Sequence, residues 1–279
     1  MTFSVLISIY KKENPAYFDE AMHSIWDYQA RKPDQIVLVM DGELTAELNV
    51  VITTWKSKLD DILIVVALPQ NIGLGGALNE GLKYCHHELV ARMDTDDICL
   101  PDRFAKQVAL FDEDSSLDIV GCFALEIDKH GNKGALRSMP VTHNEIVNSL
   151  WASPIIHPSV MFKRNKIKKI GAYNATLRRR QDYELWFRCA DQGHRFYNIP
   201  APLLLYRFTK NTHTKQPIKL AFEQAMVGFK GASLLNMPIW KRAACFVPFF
   251  RSLLPARLQH LIYLALRRFD PRRTKLDLK

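Results

Sequence analysis

Residues 89–97 read Leu-Val-Ala-Arg-Met-Asp-Thr-Asp-Asp, an apolar run that ends in three carboxylates within four positions. The apolar part predicts a buried strand. Carboxylates this close together repel one another unless a cation or hydrogen-bond donors compensate. In open α/β sheets, ligands bind beyond the carboxyl ends of the strands, and clustered oxygen ligands suit Mg²⁺ or Mn²⁺ bridging to substrate phosphates. The alternative is a solvated acidic turn before the helix expected from Pro101.

Strands and helices alternate on the amino-terminal side of this stretch. Dense Val, Ile and Leu content predicts strands at 3–9, 35–40 and 62–66, with helical patterns from Pro15, over about 44–58 and up to about His86. This alternation predicts βαβ units and therefore an α/β fold with a mostly parallel central sheet flanked by helices.

The pattern is less regular in the second half of the chain. We expect a helix from Pro101 to about Asp114, a strand at 118–127, a loop at 129–145, a short strand at 157–162, an amphipathic helix at 182–192 and an extended segment at 196–206. No internal repeat accompanies these elements.

The overall composition is that of a globular protein with a sizeable core. Of 279 residues, 48% are apolar and 24% charged. No apolar run reaches the roughly 18 residues of a spanning helix, and no basic segment opens the chain, so we expect neither a spanning helix nor a secretory signal. The cysteines lack CxxC spacing and are expected to be free thiols of a reducing compartment: Cys85, Cys99, Cys122, Cys189 and Cys245.

Charge is distributed unevenly along the chain. Residues 1–140 carry 13 Lys and Arg against 22 Asp and Glu, whereas residues 141–279 carry 25 against 7. The basic half indicates an anionic partner, which is a membrane surface, a phosphorylated substrate or nucleic acid. From about Pro217 to Arg268 the chain predicts basic, aromatic helices that either lie on an anionic membrane surface or pack back on the preceding domain.

Four further features accompany the acidic stretch, and together they indicate a family. In chain order the set is Ser8-Ile9-Tyr10, Val39-Met40-Asp41-Gly42, the glycine-containing loop 71–79, Arg92–Asp97 and Arg180-Gln181-Asp182-Tyr183-Glu184-Leu185-Trp186. Over roughly residues 3–210 this set resembles the inverting family 2 glycosyltransferases, which have the GT-A fold with a Rossmann-like central sheet. It is similar in particular to bacterial enzymes that build O-antigen, capsule or exopolysaccharide. One departure is Gln181, which stands where that family usually has Glu.

The resemblance implies a binding site for a UDP-sugar donor. It assigns the uridine to Asp41 and Asp94, and the metal that bridges the diphosphate, Mn²⁺ or Mg²⁺, to Asp96. Further nucleotide-sugar contacts are expected from Ile9, Tyr10, Asn71, Gly73, Arg92 and Thr95. Asp41 also suits a turn before Gly42, and Arg92 suits either a phosphate or Asp94 as its partner.

On the acceptor side, the resemblance makes Asp182 the catalytic base. Inverting transfer requires a carboxylate to take the proton of the attacking hydroxyl, opposite the leaving group. Glu184 is the second choice, and the alternative role for Asp182 is a helix N-cap. Gln181 and Trp186 are expected on the acceptor side as well, although tryptophan on an amphipathic helix is commonly a core residue.

Two histidines have weaker assignments. His157 resembles an acceptor-loop histidine, and a structural turn before Pro158 is its alternative. His213 is expected as an additional metal ligand, with a solvent-exposed surface position as the alternative.

The sequence therefore predicts a metal-dependent inverting hexosyltransferase in bacterial surface polysaccharide synthesis. Its expected partners are a UDP-sugar, a lipid-diphosphate-linked saccharide acceptor and an anionic membrane surface, on the inner face of the cytoplasmic membrane. Residues 1–215 are expected to form the glycosyltransferase domain, with a nucleotide-sugar-binding half at 1–115 and an acceptor-side half at 116–215. Residues 216–279 are expected to form a helical region.

Two other functions compete with this interpretation. A nucleotidyltransferase acting on sugar phosphates would be expected to have a glycine-rich loop after the first strand, and residues 9–15 contain no glycine. A nucleic-acid-binding protein would explain the basic half, but that half has no recognisable binding motif. We therefore expect no nucleic-acid partner.

Overall fold

The computed structural model describes residues 1–208 and 218–254. Within these ranges the strands are β1 (Phe3–Ile9), β2 (Gln35–Met40), β3 (Leu63–Ala67), β4 (Leu89–Met93), β5 (Ile98–Cys99), β6 (Ile119–Ile127), β7 (Lys133–Arg137), β8 (Met161–Lys163) and β9 (Phe196–Arg207). The helices are α1 (Pro15–Trp26), α2 (Ala46–Leu59), α3 (Leu74–Tyr84), α4 (Arg103–Glu113), α5 (His143–Ser149), α6 (Arg164–Lys169), α7 (Gln181–Asp191), α8 (Ile218–Leu234), α9 (Ile239–Ala244) and α10 (Val247–Ser252).

All of these strands belong to one sheet. Their order is β3-β2-β1-β4-β8-β6-β9-β5, and β7 pairs with β6. The first four strands pair in parallel, as the alternation of strands and helices predicts, and β6 also runs parallel to β9. The strands β8, β7 and β5 pair antiparallel with their neighbours. The parallel register brings the carboxyl ends of β1, β2 and β4 to one edge of the sheet.

The sheet is covered on both faces. Alternate residues of β1 point to opposite sides: Val5 and Ile7 join the cluster formed with α1, α2 and α4, whereas Leu6 joins the cluster formed with α3 and α7. Because both faces are buried, the parallel strands are continuous apolar runs without a polar side. These runs made the strands recognisable in the sequence.

Two segments differ from the sequence prediction. The expected loop at 129–145 contains β7 and the start of α5. Strand β7 is exposed over most of its length and so lacks an apolar pattern, while α5 begins with a capping box between Thr142 and Glu145. The expected strand at 157–162 begins instead as a 3-10 turn at His157–Ser159, with Pro158 in its first turn, and only β8 is extended.

The helices α8 to α10 pack on the domain with one face and expose the other. Gly228 and Gly231 of α8 lie directly against Tyr183 and Phe187 of α7, where a Cβ atom would overlap these aromatic side chains. The exposed face carries large apolar side chains: Ile218, Phe222, Phe229, Leu234, Ile239, Trp240, Val247, Phe250 and Leu253. Packing on the preceding domain, one of the two alternatives considered from the sequence, is thus found for one face of α8 to α10, and the rest of that region, from residue 255, lies outside the described residues.

None of the helices in the two described ranges is long and apolar enough to cross a membrane. All five cysteines are buried and unpaired, as expected from their spacing.

Candidate functional site

The acidic residues that follow β4 converge in space. Ligand atoms of Asp94, Asp96 and Asp97 all lie within 4.8 Å of one another. Asp94 and Asp96 are partly exposed, whereas Asp97 is 1% exposed. The cluster stands at the sheet edge where β1 and β2 also end, since Ile7 pairs with Met93 and Ile9 with Met40.

Arg207, at the end of β9, holds the cluster from the other side. Its backbone N–H donates to Oδ1 of Asp97 at 2.8 Å, and its Nε donates to the carbonyl oxygen of Asp96 at 2.8 Å. The guanidinium also pairs with Glu20 at 2.6 Å and lies over the ring of Tyr17. Nothing in the local sequence around Arg207 indicated this role.

The pKa values of the cluster show that its charge is incompletely compensated. Burial and the neighbouring Asp94 raise the pKa of Asp96 to about 6. Burial, followed by the charges of Asp94 and Asp96, raises the pKa of Asp97 well above its usual value. Oδ2 of Asp97 is buried and has no hydrogen-bond partner among the described residues. Close oxygen ligands with uncompensated negative charge fit a divalent cation such as Mg²⁺ or Mn²⁺.

Arg92 lies beneath this cluster and is 1% exposed. Its guanidinium pairs with Asp94, one of the two partners considered from the sequence. Burial opposes the charged form, but the contact with Asp94 outweighs it and raises the pKa of Arg92. Its Nε and one terminal nitrogen have no partner within residues 1–208 and 218–254. Both nitrogens are buried, so Arg92 acts on the cluster through its charge and its contact with Asp94.

Glu13, on the segment after β1, is a site residue that the sequence analysis missed. Its side chain hydrogen-bonds Thr95, and burial together with the charges of Asp96 and Asp94 raises its pKa to about 7. The neighbouring Tyr10 is 39% exposed at the end of β1, whereas Ile9 is fully buried in the core. Position alone would have indicated Glu13, since it follows the strand end that carries Tyr10.

Asp41, at the end of β2, organises the glycine-containing loop. Its Oδ1 accepts from the N–H of Ile72 at 2.7 Å, and its Oδ2 accepts from the N–H of Gly73 at 3.0 Å and from Nδ2 of Asn71 at 2.8 Å. Gly73 has φ +86°, a conformation that favours glycine, and it is the N-cap of α3. A carboxylate has about four acceptor positions, so one remains on Oδ1 of Asp41.

Asp182 lies in the first turn of α7 and is half-buried. Burial raises its pKa, and Arg180 and the backbone N–H of Tyr183 oppose that shift. The N-cap position considered for Asp182 is occupied by Arg180, which has φ +63° and no side-chain cap. Asp182 is thus a carboxylate with a raised pKa that lies close to the backbone N–H groups of the first turn of α7.

The residues beside Asp182 bear on two expectations from the sequence, namely the Gln at position 181 and Glu184 as the second choice for the base. Gln181 is 4% exposed, and its side chain lies against Gly75 of α3. Its Oε1 has no described partner, so a Glu here would bury an uncompensated charge. Glu184, the second choice for the base, pairs through both oxygens with Arg188 at 2.7 and 2.8 Å.

His157 is buried against Trp186, which is itself a buried residue of α7. Nε2 of His157 lies 2.9 Å from the hydroxyl of Tyr173, and burial together with Arg92 lowers the pKa of His157 well below its usual value. His157 belongs to the 3-10 turn considered as its alternative role, and Trp186 is fully buried, which is the core position considered for it. His213 lies outside the described residues.

Comparison with known proteins is consistent with this arrangement. The sequence model for Glycosyl transferase family 2 matches residues 4–187. The chain is 40% identical over 206 residues to the amylovoran biosynthesis glycosyltransferase AmsE of Erwinia amylovora, covering 74% of this chain and 76% of AmsE. It is 36% identical over 212 residues to the UDP-Gal:alpha-D-GlcNAc-diphosphoundecaprenol beta-1,3-galactosyltransferase of Escherichia coli, covering 75% of each chain.

Among solved structures, the chain is similar to residues 1–349 of Staphylococcus aureus TarS in complex with UDP. The TM-score is 0.65 at 19% identity, over 90% of this chain and 71% of that one. The chain spans 43% of the longer TarS structure. At this identity the likeness concerns the fold, and it confirms the expected GT-A arrangement.

Proposed function

The chain belongs to glycosyl transferase family 2, and on that basis we propose that it moves a hexose from a UDP-sugar to a lipid-diphosphate-linked saccharide. The transfer would invert the anomeric configuration, and it would take place in the synthesis of a bacterial surface polysaccharide. The name of the Escherichia coli relative includes both a UDP-sugar donor and a diphosphoundecaprenol-linked acceptor, and TarS has been solved with UDP and with UDP-GlcNAc. Both support the choice of donor class.

The observation that supports this function most is the position of Arg92. Its guanidinium pairs with Asp94 of the acidic cluster, and its charge is one of those that oppose the raised pKa of Asp182. The same buried cation therefore lies close to the proposed donor side and to the proposed base. A transferase needs these two sides in one centre, because the acceptor hydroxyl must reach the anomeric carbon of the donor.

On the donor side, the proposed contacts follow from the free polar groups. The remaining acceptor position of Asp41 suits the ring N–H of uracil, and Asp94 suits the ribose hydroxyls. Asn71, Gly73, Tyr10 and Thr95 border the same edge of the sheet. The positive charge of Arg92 suits an anionic donor.

Asp96, with its two acidic neighbours, would hold Mn²⁺ or Mg²⁺. When bound, the ion would neutralise the charge that develops on the departing diphosphate. Arg207 keeps the carbonyl of Asp96 and the carboxylate of Asp97 in place. This geometry is set by the protein before any ligand arrives.

On the acceptor side, Asp182 would accept the proton of the attacking hydroxyl. Its raised pKa makes it a better proton acceptor than a solvent-exposed aspartate. Attack from the face opposite the diphosphate would convert an α-linked donor into a β-linked product. Glu184 is already paired with Arg188, so we assign the proton transfer to Asp182 alone.

We also propose that the exposed face of α8 to α10 rests on the inner face of the cytoplasmic membrane. Ile239 is 82% exposed and Trp240 60% exposed, and the exposed Lys219 and Lys230 lie beside the exposed Ile218 and Phe229 in the sequence of α8. Apolar side chains beside basic ones suit an anionic bilayer surface. The division into a glycosyltransferase domain at 1–215 and a helical region at 216–279 is part of the same proposal.

Calorimetric titration of UDP tests the donor site most directly. We expect UDP to bind in the presence of Mn²⁺ and to lose most of its affinity in EDTA and in the Asp96→Ala variant. Asp61→Ala, which removes an exposed carboxylate away from the cluster, is the matched control and should bind as the wild type does. Failure of the folded wild type to bind UDP, GDP or dTDP would contradict the proposal.

A further inference from the structure

Asn79 of α3 makes a paired contact with the backbone of Tyr173. Its Nδ2 donates to the carbonyl oxygen of Tyr173 at 2.7 Å, and its Oδ1 accepts from the N–H of the same residue at 2.9 Å. The two residues are 94 positions apart. One amide side chain thus satisfies both backbone groups of a buried residue in the segment that joins α6 to α7, residues 170–180.

A second contact lies on the same face of α3. Gly75 is four residues before Asn79 and therefore on the same side of the helix. A Cβ atom at Gly75 would lie 3.3 Å from Cγ of Gln181 and 3.4 Å from the carbonyl oxygen of Asn174. Gly75 is buried and Asn79 is half-buried. This face of α3 thus meets both the segment 170–180 and the first residue of α7.

The segment 170–180 is also held from the side of α7. The guanidinium of Arg188 donates to the carbonyl oxygens of Ile170 and Ala172 and pairs with Glu184. Ala172 has φ +52°, a left-handed conformation that persists in a residue other than glycine only where its surroundings enforce it. The start of this segment is therefore bonded to α3 on one side and to α7 on the other.

The amino-terminal end of α3 belongs to the proposed donor side. Asp41 binds the N–H of Gly73, which is the N-cap of α3. Asn79 follows six residues later, about 9 Å along the helix axis. The helix α3 therefore connects the loop proposed to contact the nucleotide with the segment that leads to Asp182.

We propose that Asn79 is a positioning residue for the transfer: through Tyr173 it fixes the start of α7, and with it the carboxylate of Asp182, relative to a donor bound at the start of α3. This inference rests on the proposed function and adds a residue that acts through its neighbours. A base must lie within hydrogen-bond reach of the attacking hydroxyl, and a displacement of about 1 Å can lower a rate by about a hundredfold. Loss of the paired contact should therefore lower the rate of transfer without weakening the binding of the nucleotide.

Two variants and a matched control test this role. Asn79→Ala removes both bonds, whereas Asn79→Asp keeps the bond from the N–H of Tyr173 and gives the measurement if the Ala variant does not fold. The control is Gln35→Ala. Gln35 is buried at the start of β2 and also bonds two backbone groups, the carbonyl oxygen of Tyr84 at 2.9 Å and the N–H of His86 at 3.0 Å. It lies at the opposite end of the strand from the proposed site.

Kinetics separate positioning from stabilisation of the fold. Rates are measured with UDP-galactose and with UDP-glucose as donors and with N-acetylglucosamine linked to an alkyl diphosphate as acceptor. Both Asn79 variants should lower kcat by about tenfold or more and leave the KM for the donor and the Kd of UDP with Mn²⁺ within about twofold of the wild type. The control should lose a similar amount of Tm and keep kcat within about twofold.

Hydrogen exchange follows α7 without an acceptor. In the complex with UDP and Mn²⁺, the amides of residues 181–187 should exchange about tenfold faster in the Asn79 variants than in the wild type, relative to those of α1, and should keep the wild-type rate in Gln35→Ala. Unchanged exchange of α7 in the Asn79 variants would overturn the inference. If the wild type binds UDP but uses neither donor, this measurement decides alone.

The remaining outcomes are distinct. Equal losses of kcat in Asn79→Ala and Gln35→Ala at equal Tm would show that Asn79 only stabilises the fold, and weaker UDP binding by the Asn79 variants would assign the residue to the donor side. Either result overturns the inference and leaves the proposed function standing. If the wild type does not bind UDP, the proposed function fails, and the inference that rests on it fails as well.

Discussion

The backbone N–H of Arg207 donates a 2.8 Å hydrogen bond to Oδ1 of Asp97, which joins residues 110 positions apart. This bond ties the acidic cluster after β4 to the end of β9. It satisfies one oxygen of a buried carboxylate and leaves Oδ2 without a partner among the described residues. The cluster is thus held in place by a residue of the second half of the chain and still carries an uncompensated charge.

We predict that the metal-free protein gains stability when Asp97 is replaced by Asn. The folded-state pKa of Asp97 is raised by burial, whereas an unfolded Asp titrates near 3.9. The folded wild type therefore binds more protons than the unfolded chain above that pH, and its stability falls as pH rises through the folded pKa. Asn carries no charge, so the variant does not lose folding stability in this way as the pH rises.

Thermal unfolding in EDTA at several pH values measures this effect. The Tm advantage of Asp97→Asn should be small at pH 5 and should grow towards pH 8, to about 2 °C or more. With Mn²⁺ at pH 8 the order should reverse, because the wild type gains more from the bound ion. A Tm difference that does not change with pH would show that the ionisation of Asp97 is not the cause of the loss of stability.

The exchange Asp182→Asn should lower kcat by about 10²–10⁴-fold, the usual contribution of a general base. UDP binding should be unchanged, because the acidic cluster remains intact. Glu184→Gln is the matched control on the same helix turn. It should retain activity within about threefold and lose about 1–2 kcal/mol of stability through its contact with Arg188.

Steady-state rates, UDP calorimetry and chemical denaturation separate these two variants. Near-normal turnover by Asp182→Asn would remove the assignment of the base. The wild-type rate should also fall as the pH is lowered through the raised pKa of Asp182, because only the ionised carboxylate accepts a proton.

Replacing Gly231 by Ala should destabilise the protein. A Cβ at this position would overlap the ring of Phe187, and overpacking of this kind costs about 1–3 kcal/mol. The better helix propensity of Ala offsets about 1 kcal/mol of this loss. Lys230→Ala, at an exposed position of α8, is the control and should leave the Tm unchanged or slightly raised; equal Tm values for both variants would contradict the close packing.

The double variant Ile239→Ser/Trp240→Ser should lower binding to anionic lipid vesicles by about tenfold or more, because both apolar side chains are lost from the exposed face. Co-sedimentation with phosphatidylglycerol vesicles measures this. Val50→Ser removes a 66% exposed apolar side chain from α2, on the other face of the sheet, and should bind as the wild type does. Full binding by the double variant would place the membrane contact elsewhere.

The parallel half of the sheet was predictable because its evidence is local. Strands buried on both faces are apolar throughout, and helices separate them at regular spacing. The exposed strand β7 has no such pattern, and the parallel pairing of β6 with β9 joins residues 77 to 80 positions apart, from Ile119 with Phe196 to Ile127 with Arg207. No short-range rule specifies such a pairing.

The same distinction applies to the site. Asp94, Asp96 and Asp182 stood out through their immediate neighbours in sequence. Arg207 reaches the acidic cluster from the end of β9, so its role became visible only in three dimensions. Glu13 lies on the segment after β1, and its position in the sequence could have indicated it. The pairing of Glu184 with Arg188, four residues apart on one helix, could have been read from spacing alone.

The antiparallel pairing of β4 with β8 has a consequence for turnover. It makes the strand that ends in the acidic cluster continuous with β8, β6 and β9 in one sheet, so within the described residues these strands do not form separate lobes that could open and close. Enzymes built from two lobes trap their substrates by a hinge motion. In this protein, entry of the donor and release of UDP would depend on rearrangement of segments outside the sheet, while the sheet edge that carries the acidic cluster stays fixed through the cycle. An inhibitor that binds this sheet edge would therefore contact the same surface at every stage of the reaction.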